Sequence, residues 1–123
     1  NYPPNSSSAY AHWSSDSKKW QGGFGQQILG ETWYTHHGNH KVESQRGIIE
    51  AAQKDHPILR GVDDLWAPTD VYGIKHLPES ATVLVRGQIL QGMKPEDAPV
   101  ADDRNNPMMP IAWIKDYQLP EGK

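Results

Sequence analysis

Ten prolines and eleven glycines punctuate this chain of 123 residues and restrict it to short regular elements joined by turns. Proline removes a backbone donor and fixes φ, while glycine ends helices and opens turns at little steric cost. From Met93 to Pro110, four prolines (Pro95, Pro99, Pro107 and Pro110) each withdraw an N–H, so the stretch predicts loop. Asn1 to Gly22 predicts a loop-rich opening segment. Its Pro3-Pro4 pair and its serines are turn-forming residues, and Tyr10, Trp13 and Trp20 are the aromatics expected to pin it.

Between these breaks the pattern predicts brief elements. Phe24, Gln27 and Ile28, spaced i, i+3, i+4 between glycine stops, predict a short helix over 23–30. Glu31 to Thr35 is β-prone and leads into a Gly38-Asn39 turn. Gly47-Ile48-Ile49 favours a strand around 45–50. Asp55 as N-cap, Pro57 in the first turn and Gly61 as terminator predict a short helix at 56–61. Thr69 to Ile74 is a β-like patch. Ala81 to Leu90, with Val83, Val85 and Ile89 on one face and Leu84 on the other, predicts a buried strand. Ile111, Trp113, Tyr117 and Leu119 alternate with polar residues as in a half-buried strand.

A chain of this length supports one core. Its twelve basic and fifteen acidic residues are scattered, so no positive surface is available for a row of phosphates, and nucleic acid is excluded as a partner. The longest aliphatic run is Val83-Leu84-Val85, far short of the roughly 20 apolar residues of a membrane span. With no cysteine there is no disulfide framework, thiolate zinc site or thiolate nucleophile. Asn1, with no leader pattern after it, predicts a processed or excised piece.

The densest chemistry is Trp33-Tyr34-Thr35-His36-His37-Gly38-Asn39-His40, with three imidazoles in five residues. Imidazole carries a proton near neutral pH or ligates a metal. His36 and His37 are the candidate acid/base residues. His36 and His40 are the alternative pair for a divalent metal, with Asp70 or a water completing the set. Asp70 and Tyr72, two apart in an extended segment, share a face on which a carboxylate and a phenol could grip hydroxyls. Indole faces suit sugar rings, which adds Trp33 to the ligand-binding candidates beside His40, Asp70 and Tyr72. His56, ahead of Pro57, reads as structural. Arg60 could pair with Asp63 or Asp64, and Arg86 is either an anion holder or a solvated side chain.

Taken in order, Phe24-Gly25-Gln26-Gln27-Ile28-Leu29-Gly30, Trp33 to His40, Asp55-His56-Pro57-Ile58 and Trp66 to Tyr72 resemble the successive landmarks of the ThuA-like (trehalose-utilisation) domain family. Its leucine-glycine helix end, following histidine, His-Pro element closed by glycine and acidic-x-Tyr element look like Leu29-Gly30, His36 or His37, His56-Pro57 with Gly61, and Asp70-Val71-Tyr72. The likeness covers most of residues 22–117. It implies a single ThuA-like domain over 1–123 with a flavodoxin-like, class I glutamine-amidotransferase-like three-layer α/β fold, rich in strand and loop. The chain would be an internal fragment without the first and last strand-helix units, joined to partner domains in the whole protein.

The same resemblance implies a role in carbohydrate metabolism, with a sugar-related small molecule bound or processed at a histidine-rich pocket, and a location in the periplasm or outside the cell. Thr69 stands where relatives often carry the first acid of a pair, and glutaminase activity is not carried over without a cysteine. The alternative is a non-catalytic carbohydrate-binding or interaction module.

Overall fold

The computed structural model describes residues 21–117; the opening loop up to residue 20, with Trp13 and Trp20, and the strand expected to run on to Leu119 lie partly or wholly outside them. The chain divides into two compact units. One comprises Thr35–Gly73 and Val83–Ile114, and the other Asn1–Tyr34, Ile74–Thr82 and Lys115–Lys123.

The first unit holds a four-stranded antiparallel sheet. Its strands are β1 (Gln45–Ile49), β2 (Leu65–Ala67), β3 (Thr82–Ile89) and β4 (Met109–Ile114), in the order β2-β1-β3-β4. Gln45 faces Ala67 and Gly47 faces Leu65 across β1 and β2. On the other side of β1, Gln45 faces Ile89, Gly47 faces Gly87 and Ile49 faces Val85. The buried strand expected at 81–90 is β3, and the strand expected at 45–50 is β1.

A flavodoxin-like layer is built from parallel strands joined by crossovers of about a dozen residues or more, usually helices. The described residues instead show antiparallel pairing, one π-helical turn and three single 3-10 turns. The many prolines and glycines explain the little helix: few uninterrupted stretches reach the length at which a helix sustains itself.

Leu59, Leu84 and Val85 form the buried centre, with Ile49, Leu65, Ile111, Ala112 and Ile114 packed around them. Burying one such aliphatic side chain contributes about 1.5–3 kcal/mol. Asn105 finishes β3, its Oδ1 accepting from the Ile89 N–H at 2.8 Å and its Nδ2 donating to the Ile89 carbonyl at 3.1 Å. Arg86 neither faces solvent alone nor waits for an anion. It pairs with Glu50 and donates to the Met108 carbonyl at 2.9 Å. Asp64 pairs with Arg46 rather than with Arg60.

Local expectations need correcting in both units. The β-like patch at Thr69 to Ile74 contributes only an isolated bridge at Tyr72, and the strand lies earlier, at β2. The short helix after residue 55 is a 3-10 turn, Pro57–Leu59, capped by His56 rather than Asp55: the His56 ring Nδ1 accepts from the Ile58 N–H at 3.2 Å. In the second unit the expected helix is the π-helical turn Gly25–Leu29, ended by Gly30 at φ 97°.

Residues 31–35 form no ladder. The buried Glu31 carboxylate instead accepts the N–H groups of Thr32, Lys75 and His76 and the His76 Nδ1–H. Burial pushes its acidity toward the neutral form, and these hydrogen bonds outweigh that and leave its pKa below the usual carboxylate value.

Gly47 and Gly87, directly opposed, let neighbouring side chains close over the middle of the sheet. A Cβ at Gly47 would stand 2.7 Å from the Leu65 Cβ, and one at Gly87 would stand 2.7 Å from Ile111 Cγ2 and 2.9 Å from Val71 Cγ2. Val71 is fully buried, so the empty place at Gly87 is what seats the segment carrying Asp70 and Tyr72. Gly87→Ala is expected to lower stability by about 1–3 kcal/mol through overpacking, measured by urea denaturation. A loss near zero would show that Val71 is not held there.

Candidate functional site

The site begins with a short pairing between residues 35–38 and 71–73. The His37 and Gly38 N–H groups both donate to the Val71 carbonyl, at 2.8 and 3.0 Å, and the Gly73 N–H donates to the Thr35 carbonyl at 2.8 Å. His36 and Tyr72 thereby oppose each other as an isolated antiparallel bridge. Close approach depends on Gly38, where a Cβ would lie 3.2 Å from the Asp70 Cβ. Gln45 of β1 adds a bond from its Nε2 to the Asp70 carbonyl at 3.3 Å.

The next turn delivers the second ring. Val42 and Glu43 donate their N–H groups to the Asn39 carbonyl, while the Asn39 N–H donates to Glu43 Oε2 at 2.7 Å. Lys41 takes the left-handed conformation, φ 64°, that this reversal requires. His40 is thus carried back toward Asp70.

Asp70 is the centre of the constellation. Its side chain is 0% exposed, yet one oxygen receives His36 Nδ1 at 2.7 Å and the other receives His40 Nδ1 at 2.8 Å, with the rings 41% and 50% exposed. The imidazole centroids stand 4.7 Å apart, and the Tyr72 ring meets the His36 ring edge-on at 5.7 Å. Burial raises the Asp70 pKa, and the hydrogen bonds from His40 and His36 more than offset it, so the carboxyl is held below its ordinary value. An ionised carboxylate only accepts, so each Nδ1 donates; in a neutral ring the lone pair then resides on Nε2. The buried acid thereby fixes tautomer and orientation for both histidines.

His36, His40, Asp70 and Tyr72 are therefore gathered in one place, and His37 is not among them. The His37 Nε2–H donates to the Arg104 carbonyl at 2.8 Å, on the other side of the loop's register. Its neighbours form an ion-pair network: Arg104 grips both Glu43 oxygens at 2.7 and 3.0 Å and reaches Asp102 at 2.7 Å. His37 thus fastens the loop instead of joining the acid/base pair. Trp33, 42% exposed, belongs to the second unit.

Arg104 and Glu43 were not legible as a site support, being 61 residues apart. The only local signals were Glu43 four residues after Asn39 and Arg104 two after Asp102.

Among the residues able to hold a metal, His36, His40 and Asp70 each offer one donor atom, all within 4.8 Å of one another. Two hollows elsewhere in the same unit are lined by other residues. One of about 260 Å³ lies on the sheet between Gln45, Leu65, Trp66, Val85 and Ile111, and the other, of about 350 Å³, follows Lys54 to Asp63. No helix among the described residues is long and apolar enough to cross a membrane. No family model, curated protein or solved structure matches the chain.

Arg104 beside it holds the Glu43 carboxyl below its usual value, against the opposing effect of burial. A carboxylate with a depressed folded pKa contributes stability that is complete above the unfolded value of 4.5 and is lost as pH falls through the folded one. Glu43→Gln is expected to cost about 1.5–3 kcal/mol at pH 7, the scale of hydrogen bonds to charged groups. It should also flatten the loss of stability below the ordinary carboxylate range. Parallel acid limbs for wild type and variant, measured by denaturation at a series of pH values, would contradict this role.

Proposed function

We propose that this chain is part of a ThuA-like domain of carbohydrate metabolism, with a flavodoxin-like core in the whole domain, and that it binds and processes a sugar-related ligand at His36, His40, Asp70 and Tyr72. The reading is carried by one observation: a single fully buried carboxylate holds two half-exposed imidazoles by their Nδ1 atoms. That arrangement is not needed to fill a core. It leaves two rings of fixed orientation at the surface, next to a phenol that is 44% exposed.

Polyhydroxylated ligands are recognised by directional donors and acceptors set beside a flat ring. Tyr72 supplies the ring and a hydroxyl, and the imidazoles supply the directional groups. An imidazole oriented through Nδ1 by a carboxylate can take a proton from a ligand hydroxyl at Nε2 and return it, which is general acid/base work. In this reading His36 and His40 act on the ligand, Asp70 positions them without being protonated, and Tyr72 orients a hydroxyl.

The exposure of Trp33 and Tyr34 favours a second reading, a binding module whose contacts are aromatic and whose histidines are incidental. An NMR titration of the chain with mono- and disaccharides and sugar alcohols separates the two. The expected result is ring-proton shifts at His36, His40 and Tyr72, with affinity reduced about tenfold or more in His40→Ala while the circular dichroism spectrum is unchanged. Shifts confined to Trp33 and Tyr34 would support the binding module, and no shift at any ring would remove the sugar reading.

A further inference from the structure

We propose that His36, His40 and Asp70 hold a divalent first-row transition-metal ion. This deepens the functional reading above and rests on it only for what the ion would face, since the donors themselves are present whatever the ligand is.

The donor set decides the class of ion. Two imidazole nitrogens with one carboxylate oxygen suit zinc, cobalt, nickel or manganese, whereas magnesium and calcium take oxygen ligands. Asp70 lies 34 residues after His36 and 30 after His40, so its meeting with the two rings is a product of the fold and not of local sequence. Each is anchored independently. His36 sits in the backbone bridge to Tyr72, His40 on the closed turn from Asn39 to Glu43, and Asp70 beside the buried Val71.

The geometry requires only a small adjustment. Donors about 2.0–2.1 Å from a tetrahedral zinc stand roughly 3.3–3.4 Å apart. The imidazole–carboxylate distances of 2.7 and 2.8 Å would open by several tenths of an ångström, and the widest separation, within 4.8 Å, would close. The rings are 41% and 50% exposed, so the adjustment would fall on them, while the buried Asp70 is the fixed point. Both rings would exchange tautomer, so that Nδ1 ligates and Nε2 carries the proton, and with the ion bound the activation of a ligand hydroxyl would pass from the rings to the ion.

Three protein ligands leave at least one position open, as in catalytic zinc sites, where the fourth place takes water or substrate. The exposed rings put that position on the solvent side, next to Tyr72. A ligand hydroxyl placed there would be polarised by the ion, the property that a polyhydroxylated substrate would use.

The test is metal binding by the chain itself, without any sugar. After treatment with EDTA and buffer exchange, calorimetric titration with zinc chloride should show one equivalent bound. Cobalt chloride should give visible absorption typical of a nitrogen- and oxygen-ligated ion. His40→Ala and His36→Gln, each confirmed folded by circular dichroism, should weaken zinc binding about tenfold or more, while His56→Ala, in the separate Pro57–Leu59 turn, should leave it unchanged. Zinc binding that survives both His36 and His40 substitutions, that is lost in His56→Ala, or that is absent from the wild type would overturn the assignment. Zinc bound with no sugar recognised would sink only the carbohydrate reading, and sugar bound with no metal would sink only this one.

Discussion

Everything at the site depends on the Asp70 carboxylate being buried and still ionised. A buried carboxylate is costly unless its charge meets donors, and here each oxygen meets one imidazole. The donors are bound to the acid as firmly as the acid is bound to them, because releasing either ring would leave part of a charge without a partner inside the unit. The loop of residues 36–40 is thus fastened by electrostatics from within and by the Val71 carbonyl along its backbone. The antiparallel sheet serves this arrangement through a gap. At Gly87 the missing side chain seats Val71, and Asp70 follows from that position.

A second charged knot lies along the same loop and does different work. Arg104 ties Glu43 to Asp102, and its carbonyl receives His37. Adjacent histidines therefore have opposite duties. His36 turns toward the buried acid and His37 away from it, as alternation along an extended backbone demands. The sequence clusters the three rings, but the fold pairs the first and third and leaves the middle one as a fastener.

What the sequence made legible follows the range of the forces involved. β3 was readable because Val83, Leu84, Val85 and Ile89 carry the pattern of a buried strand within one short window. The 3-10 turn at Pro57 was readable for a similar reason, although His56 took the capping role assigned to Asp55. The segment 31–35 misled because its β-prone side chains were overruled by a single buried Glu31 drawing N–H groups from residues about 45 positions later. At the site, Asp70, Tyr72 and the histidines could be nominated from residue chemistry alone. Their division into a gathered group and a fastener could not, since it depends on the register between residues 35–38 and 71–73. Arg104 left only its spacing from Asp102 as a local trace, and nothing that tied it to Glu43.

The separation of the donors along the chain has a consequence for how this chemistry can exist. Contacts bridging 30 and 34 residues are made only after the intervening polypeptide, including β1 and β2, has been organised. Neither a histidine-rich peptide nor the Asp-Val-Tyr stretch would reproduce the constellation in isolation. Its competence is a tertiary property, so it should appear late in folding and vanish with cooperative loss of the sheet instead of fading residue by residue.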